Sequence, residues 1–291
     1  MIYYFERNEI DNLKYDHCIK SAVNSRIYAY SWYLDCVADN WDVLVLNDYE
    51  AVMPLPWRSK YFIKYIYPPA WTQQLGVFSK NAISQNLLKE FISSIPKKFK
   101  KVTIQFNSGN DLNLFKTQNR VNYILPLNKD YEEIYNRFNK NRKRVLNNDS
   151  YDCKISDELC FAELILIAKR HYTFLSFTDF DYKKLKGLVN YLFKSNRILI
   201  YGISKIDNEL IGGVLFLKSD YRITYLFSIM TPIAKKNNIT SRTINLVIKE
   251  YSNSNYTLDF EGSMILGIAS FFKSFGAVSE FYYQYKKDRL I

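Results

Sequence analysis

The stretch LDFEGSMILGIASFFKSFGA, at residues 258–277, mixes residue types that a plain core segment would not need. It contains three of the nine glycines of the chain, namely Gly262, Gly267 and Gly276. Asp259 and Glu261 stand at the end of a predicted strand, and Lys273 lies among phenylalanines. A carboxylate there can orient or deprotonate a bound amine, or it can cap the next helix near Ser263. We favour capping for Asp259, and keep both carboxylates as catalytic candidates.

The composition predicts a globular protein of about two domains with a basic surface. The chain has 291 residues, of which 48% are apolar and 24% are charged, and its net charge is +11. Such a charge favours anionic partners, such as nucleic acid, phosphorylated metabolites or a membrane surface. A solvated basic surface without a specific ligand is the alternative interpretation.

The cysteines and histidines are too scattered to indicate a metal site. The chain has two histidines and four cysteines, with no CxxC pair: His17, His171, Cys18, Cys36, Cys153 and Cys160. The first residues lack the apolar segment of a signal peptide, and the apolar runs are too short to span a bilayer. We therefore expect no metal, no transmembrane segment and a cytoplasmic protein.

The two halves of the chain repeat one order of predicted elements. Residues 1–128 and residues 129–291 each read as helices, a three-strand meander, a helix and further strands. Apolar spacing predicts a helix over residues 131–148 that links them. The last predicted strand, at residues 280–286, is expected to pair in the second half, and pairing in the first half is the alternative. The pattern predicts an α/β (α+β) protein of two similar domains, each a mixed, mostly antiparallel sheet flanked by helices.

This plan, together with the quoted stretch, resembles a duplicated GNAT acyltransferase fold. The closest resemblance is to the FemABX-like group of bacterial peptidoglycan aminoacyl transferases and related acetyltransferases. The family pattern has an aspartate, spaced glycines and a lysine among phenylalanines, matched here by Asp259, Gly262, Gly267, Ile268, Phe271, Phe272, Lys273, Phe275 and Gly276. The resemblance implies an acceptor side at 1–128 and a donor side at 129–291.

The resemblance also implies a role for Lys273. It matches the lysine implicated in the FemABX-like active site, where a fixed cation would stabilise the oxyanion that develops during acyl transfer. Ordinary GNAT enzymes often have a tyrosine general acid at the position of Phe272, so that acid is absent here. Phe272 would instead line the substrate site and exclude water. The alternative is a helix with its phenylalanines in the core and Lys273 in solvent.

A second matching motif is TPIAKKNNITSRTINLVIKE, at residues 231–250. GNAT enzymes hold the pyrophosphate of coenzyme A at a Q/R-x-x-G-x-G/A turn before a helix, and the matching residues are Lys235, Asn238 and Thr240. Both small positions are filled, which argues against binding of coenzyme A at this turn. The co-substrate is expected to be either aminoacyl-tRNA or acyl-CoA, with no tightly bound cofactor. In the alternative interpretation, Thr240 or Ser241 caps an ordinary helix.

Two further clusters are candidate binding residues. In YIYPPAWTQQLGVF, at residues 65–78, a polar and aromatic group follows two prolines and would meet an acceptor: Trp71, Thr72, Gln73 and Gln74. A surface bend with Trp71 in the core is equally compatible with this segment. In FNKNRKRVLNN, at residues 138–148, Arg142 and Arg144 would bind phosphates of a tRNA or of a nucleotide-linked acceptor. A solvated charged face is the alternative.

The function predicted from these features is transfer of an activated acyl or aminoacyl group to an amine acceptor. A nucleotide- or lipid-linked cell-wall precursor is one acceptor that the resemblance implies. One alternative is an acyl-CoA-dependent acetyltransferase acting on a small amine or amino sugar. A second alternative is a non-catalytic protein that binds anionic ligands on the same fold.

Overall fold

The computed structural model describes residues 1–148, 151–157, 161–172, 177–262 and 264–289. The chain divides into two compact units. Unit 1 comprises Met1–Arg120 and Phe281–Ile291, and unit 2 comprises Val121–Glu280. The predicted bounds of 1–128 and 129–291 stay a prediction for the domains.

The elements follow one another in chain order. The strands are β1 (Ile2–Phe5), β2 (Asn40–Leu46), β3 (Ala51–Lys60), β4 (Ile63–Ile66), β5 (Phe78–Ser79), β6 (Phe99–Phe106), β7 (Thr117–Pro126), β8 (Lys154–Ser156), β9 (Ile198–Ser204), β10 (Leu210–Lys218), β11 (Arg222–Met230), β12 (Thr257–Asp259) and β13 (Val278–Asp288). The helices are α1 (Asn12–Ser21), α2 (Ser31–Val37), α3 (Gln85–Ser94), α4 (Tyr131–Asn136), α5 (Lys140–Asn147), α6 (Phe161–His171), α7 (Asp179–Lys194), α8 (Pro232–Lys236), α9 (Ile239–Tyr251) and α10 (Leu266–Lys273).

Unit 1 contains a mixed sheet in the order β1-β2-β3-β4-β6-β13, with β5 beside β3. The strands pair antiparallel except β4 and β6, which are parallel. Side-chain caps start the helices: Asp11 accepts from the backbone N–H groups of Leu13 and Lys14, and Ser84 accepts from that of Leu87. Phe91 of α3 is buried against the sheet beside Phe99 and Phe106.

Unit 2 contains a sheet in the order β7-β12-β11-β10-β9-β8. Strands β11 and β12 are parallel but pair only from Arg222 opposite Thr257 to Thr224 opposite Asp259. Beyond these pairs β11 continues to Met230, and no strand of the described residues pairs with its outer edge there. The register of β11 against β10 also shifts between Leu215 and Phe216. A β-bulge of this kind bends a strand and increases its twist, and it lies where β11 extends beyond its pairing with β12.

The predicted fold class is confirmed, because each unit contains a mixed, mostly antiparallel sheet flanked by helices. Across the described ranges, every helix is too short or too polar to span a bilayer. Within the same ranges, no group of three His, Cys, Asp or Glu side chains is placed to hold a metal ion.

The predicted single helix over residues 131–148 is wrong, because two short helices occupy this segment. α4 ends at Asn136, and α5 begins at Lys140. Asn139 between them is extended, with φ −69° and ψ 161°, and its side chain accepts from the N–H of Arg142 at 2.8 Å. Apolar spacing alone predicted continuity, whereas the cap at Asn139 starts a new helix.

The placement of the last strand also differs from the expectation. Tyr283–Asp288 of β13 pair antiparallel with β6, from Tyr283 opposite Phe106 to Asp288 opposite Lys101. These residues therefore complete the sheet of unit 1, not that of the second half. The periodicity of a strand predicts that it pairs but does not say with which partner.

Candidate active site

A cavity of about 470 Å³ in unit 2 lies beside the part of β11 that extends beyond β12. Its lining comes from the residue after α6, from β11, from α8 and the start of α9 with the turn between them, and from α10: Tyr172, Tyr225, Ser228, Met230, Lys235, Asn238, Thr240, Ser241, Gly267, Ile268, Phe271 and Phe272. Four residues predicted from the sequence meet here, namely Lys235, Asn238, Thr240 and Phe272. Tyr172, Tyr225 and Ser228 were not predicted, because no motif marks them.

Helix α10 forms the apolar wall of this cavity. Ile268, Phe271 and Phe272 line it because residues three and four positions apart lie on one helix face. The ring of Phe272 is buried and stacks on Phe260 of the core, with 4.8 Å between ring centroids. A Cβ at Gly267 would meet no atom within 4 Å. There is therefore free space in the cavity next to Gly267, whereas packing holds the Phe272 side chain in place.

The α8–α9 turn has a left-handed residue at Asn238, although the sequence has no glycine there. Asn238 adopts φ 55° and ψ 29°, the left-handed region in which glycine is most common. Asparagine tolerates this region better than other side chains do, so loss of glycine does not prevent the turn. Asn238 itself is the N-cap residue of α9, which excludes the interpretation that Thr240 or Ser241 caps this helix.

A second, basic cavity of about 370 Å³ adjoins the same turn. Asn238 lines both cavities. The cationic residues of the second cavity are Arg144, Lys236 and Arg242, and amide and apolar residues complete the lining. Three cations beside a helix N-terminus favour an anionic group. Arg144 was predicted for this role, whereas Lys236 and Arg242 were not.

Arg142 lies behind the first cavity rather than on its surface. Arg142 is 5% exposed, and its guanidinium donates to the hydroxyls of Ser241 and Ser274. The guanidinium carbon lies 4.6 Å from the ring centroid of Phe271 and 4.5 Å from that of Phe275. Burial lowers the pKa of Arg142 to about 10, so the group remains charged at neutral pH. In the described part of the chain, no carboxylate contacts it.

Tyr172 and Lys235 occupy the edge of β11 in this structure. The Tyr172 hydroxyl accepts from the N–H of Met230 at 3.0 Å and lies 3.2 Å from the carbonyl oxygen of Met230, to which it donates. The ammonium of Lys235 sits 4.0 Å from the ring centroid of Tyr172. Below them, burial raises the pKa of the Tyr225 phenol far above its ordinary value, so this group stays protonated.

Lys273 and Glu261 are not among the described residues that line either cavity. Lys273 ends α10 and is exposed, with its ammonium 5.5 Å from the ring centroid of Tyr123. Glu261 is half-buried in the bend after β12, with φ 55°. The catalytic roles of both residues stay predictions.

Asp259 is held in a buried ionic network. It is 1% exposed, and its carboxylate lies 2.6 Å from Arg222 and accepts from Asn122 at 2.9 Å. Glu280 joins the network at 3.1 Å from Arg222 and 3.0 Å from Asn122. Burial by itself would lower the pKa of Arg222, but the two carboxylates raise it above its ordinary value.

The same carboxylate shapes the bend after β12. The N–H of Glu261 donates to Asp259 at 2.8 Å. The N-cap of α10 is Ile265, without a side-chain hydrogen bond, so Asp259 does not cap that helix. Ser263, where capping was expected, lies outside the described residues. Asp259 thus fixes the strand end, and its direct participation in chemistry stays a prediction.

The acceptor candidates of unit 1 are largely enclosed. Trp71 is 7% exposed, and its carbonyl accepts from the hydroxyl of Tyr33. Gln74 is buried; it donates to the side chain of Gln73 at 2.7 Å and accepts from the N–H of Ser108 at 3.3 Å. Thr72 and Gln73 line a cavity of only about 10 Å³, which is close to the least space that one water needs. The cluster is brought together but presents no open aromatic face, and its acceptor role stays a prediction.

The fold defines the class of protein: a tandem GNAT fold with an open strand edge in the second unit. The sequence comparisons find no matching family model and no similar curated protein.

Solved structures are similar over nearly the whole chain. The structure of FemX is similar with a TM-score of 0.67 and 12% identity, over 94% of this chain and 96% of that one. A tandem GNAT protein from the clavulanic acid biosynthesis pathway has a TM-score of 0.57 and 8% identity, over 98% of each chain. L-PGS from Bacillus licheniformis has a TM-score of 0.54 and 13% identity, over 96% and 92%. The predicted resemblance to a duplicated GNAT fold of FemABX-like type is confirmed at the level of the fold.

Proposed function

We propose that the protein is an N-acyltransferase of FemABX-like type, which moves an activated acyl or aminoacyl group from an anionic carrier to an amine. The observation that carries this proposal is the pair of cavities that share Asn238. One has an apolar wall formed by Phe271 and Phe272, and the other is lined by Arg144, Lys236 and Arg242. An apolar cavity next to a cationic one fits a donor with a reactive acyl arm and a phosphate-bearing carrier.

The carrier would be bound by several positive groups together. The first N–H groups of α9 have no partner within the helix, and they carry the positive end of its dipole. We call the cavity with the apolar wall the acyl cavity. Arg142 adds a buried charge behind Ser241, which lines this cavity. A buried cation without a carboxylate is costly unless an anion approaches it. A bound phosphate-bearing carrier would offset that cost.

The reaction needs no covalent enzyme intermediate. The nitrogen of the acceptor attacks the donor carbonyl, and a C–N bond forms as the C–O or C–S bond to the carrier breaks. The proton that the amine loses ends on the departing oxygen or sulfur. The resemblance implies that Lys273, which lines neither cavity, would stabilise the oxyanion between these two events. The buried ring of Phe272 would exclude water. The acceptor, such as an amine on a cell-wall precursor, stays a prediction.

One observation favours acyl-CoA as the donor instead of aminoacyl-tRNA. The left-handed conformation of Asn238 retains the turn that the glycine-containing motif would form. The N–H groups beyond this turn can therefore approach a pyrophosphate although both glycines are replaced. An acyl-CoA-dependent N-acetyltransferase that acts on a small amine or amino sugar is the second candidate function.

The test is a transfer assay read by mass spectrometry. The purified chain is incubated with acetyl-CoA, palmitoyl-CoA or alanyl-tRNA and with a panel of amines that includes glucosamine and a UDP-linked muropeptide. We expect one donor to yield an N-acylated product. The variant Lys273→Met should lower the rate about 100-fold or more, because one oxyanion donor contributes about 3 kcal/mol.

The matched control is Lys249→Met. Lys249 is also an exposed lysine of unit 2 whose ammonium lies over a tyrosine ring, at 5.8 Å from that of Tyr131. Its loss should leave the rate unchanged. Equal rates for the two variants would remove Lys273 from the mechanism. Binding of a donor without any transfer would contradict the enzyme and support the non-catalytic binding protein.

A further inference from the structure

The hairpin between β3 and β4 in unit 1 ends in two exposed aromatic residues. Lys60 pairs with Ile63, so the connecting loop consists of Tyr61 and Phe62 alone. Their relative exposures are 82% and 105%. Two-residue hairpin turns place asparagine and glycine at such positions far more often than aromatic residues.

The backbone of this turn is strained. Tyr61 has φ 49° and Phe62 has φ 62°, both in the left-handed region. Bulky side chains are uncommon there, since Cβ approaches the neighbouring carbonyl oxygen. Neither ring gains burial in return. Strain retained at an exposed position is typical of a functional site.

The same end of the sheet is strongly basic. β4 runs parallel to β6, with Lys64 opposite Phe99 and Tyr65 opposite Lys101. The start of β6 therefore lies beside the hairpin. We call the following six residues the basic end: Lys60, Lys64, Lys97, Lys98, Lys100 and Lys101. β13 adds Lys286 and Lys287, opposite Thr103 and Val102 of β6.

Few acidic groups neutralise the basic end. Lys98 pairs with Glu6 at 3.1 Å, and Lys101 pairs with Asp288 at 3.2 Å. Among the described residues, no carboxylate bridges the other four lysines. Part of the net charge of +11 is therefore concentrated around the exposed aromatic tip.

The nearby arginines are used within the fold. Arg58 lies 3.7 Å from the ring centroid of Tyr67 and 3.8 Å from the carboxylate of Asp39. Arg289 donates to the carbonyl oxygens of Pro96 at 2.8 Å and Phe99 at 3.3 Å. The available charge is thus carried by lysines, which act as hydrated point charges without the planar fork that suits nucleic-acid recognition.

We propose that the Tyr61–Phe62 tip and the basic end bind the interface of an anionic phospholipid bilayer. A protruding aromatic pair can enter the headgroup region, where tyrosine and other aromatic side chains concentrate at membrane surfaces. The lysines around it then lie at the level of the lipid phosphates, and each contributes to binding. The ligand is the bilayer surface, and this site is separate from the proposed transfer chemistry.

Vesicle sedimentation tests this proposal with the full chain. Phosphatidylcholine vesicles containing about one third phosphatidylglycerol are compared with phosphatidylcholine alone. We expect binding to the anionic vesicles only, and weaker binding as salt rises. The double variant Tyr61→Asn, Phe62→Gly should bind at least about tenfold more weakly, because the buried aromatic surface is lost.

This double variant also controls for folding. Asn-Gly is the favoured sequence for the turn, so its melting temperature should equal or exceed that of the wild type. Lys60→Gln and Lys64→Gln should each weaken vesicle binding about fivefold. Ile206→Ser is the matched control, since Ile206 is 76% exposed in the β9–β10 hairpin of unit 2. It should bind vesicles as the wild type does.

Three results would overturn the proposal. The first is a wild-type chain that does not sediment with anionic vesicles. The second is a double variant that binds them as tightly as the wild type. The third is a double variant that keeps its vesicle binding but loses binding to a folded RNA or to a second copy of the chain, which would reassign the surface to that partner.

Discussion

The hydroxyl of Tyr172 bonds to both backbone polar groups of Met230, at 3.0 Å from the nitrogen and 3.2 Å from the oxygen. Met230 ends β11, beyond the last residue of β11 that pairs with β12. A buried backbone group without a partner is costly. Tyr172 therefore satisfies the backbone N–H and C=O groups of Met230, as a neighbouring strand does elsewhere in the sheet. The cavity can stay open because these two groups have hydrogen-bond partners.

The variant Tyr172→Phe should lower the free energy of unfolding by about 1–3 kcal/mol, because it leaves buried backbone groups unsatisfied. Urea denaturation followed by circular dichroism measures the change. Tyr221→Phe is the control, since Tyr221 is 72% exposed, and it should lie within about 0.5 kcal/mol of the wild type. A Tyr172→Phe variant as stable as this control would show that the two hydrogen bonds do not support β11.

The variant Gly262→Ala should destabilise unit 2 by more than about 2 kcal/mol. Gly262 has φ 56°, and a Cβ there would lie 2.3 Å from both the Cα of Asn122 and the carbonyl oxygen of Val121. The backbone would have to shift at the bend that follows Asp259. Thermal unfolding gives the change.

Gly187→Ala in α7 is the matched control for that substitution. A Cβ at Gly187 would meet nothing within 4 Å, and the residue lies inside a helix. Alanine should therefore stabilise the protein by about 0.5–1 kcal/mol. Similar effects at the two glycines would contradict the close approach of Gly262 to β7.

The variant Asp259→Asn should cost about 3 kcal/mol or more, because it breaks a buried ion pair and leaves Arg222 poorly compensated. Asp288→Asn removes a surface ion pair with Lys101 and should cost no more than about 1 kcal/mol. Chemical denaturation of both variants separates these cases. Equal small losses would mean that Asp259 does not hold the strand end, and would return it to the catalytic candidates.

The variant Arg142→Met should weaken the binding of an anionic donor while leaving the free energy of unfolding nearly unchanged. Methionine fits beside the rings of Phe271 and Phe275, and replacing a buried charge by an apolar side chain is often neutral. We expect a change in stability within about 1 kcal/mol and about tenfold weaker binding of an anionic donor. Calorimetric titration measures the binding.

Arg26→Met, at a buried arginine of unit 1, is the control and should leave donor affinity unchanged. Unaltered affinity in Arg142→Met would exclude Arg142 from anion binding.

Local chemistry predicted much of the fold from the sequence. The family motif at residues 231–250 indicated the turn that lines the cavity, and the family motif at residues 258–277 indicated Phe272 as a site residue. Both depend on neighbours along the chain. The break at Asn139 and the pairing of β13 with β6 were missed, since a cap can interrupt a continuous apolar pattern and a strand does not encode its partner.

Parts of the site depend on contacts between distant segments. Tyr172, directly after α6, reaches Met230, and Arg242 meets Arg144 only across the second cavity. Tyr172 lies in no motif, and Arg242 lies within residues 231–250 but is not one of the matched motif positions. Their roles therefore appear only when the chain is folded. The burial of Trp71 is equally non-local, because its carbonyl is held by Tyr33 of α2.

Calorimetric titration of acyl-CoA and aminoacyl-tRNA analogues into the wild type and into Gly267→Phe tests the central claim most directly. Gly267 lines the acyl cavity, and a Cβ there would meet no atom within 4 Å, so a phenylalanine side chain would project into the cavity. Gly187→Phe adds the same ring to an open position on α7. The account predicts that the wild type and Gly187→Phe bind one donor alike, and that Gly267→Phe binds it at least about tenfold more weakly. Equal affinity in all three proteins, or no binding of any donor, would contradict a donor site between β11 and α10.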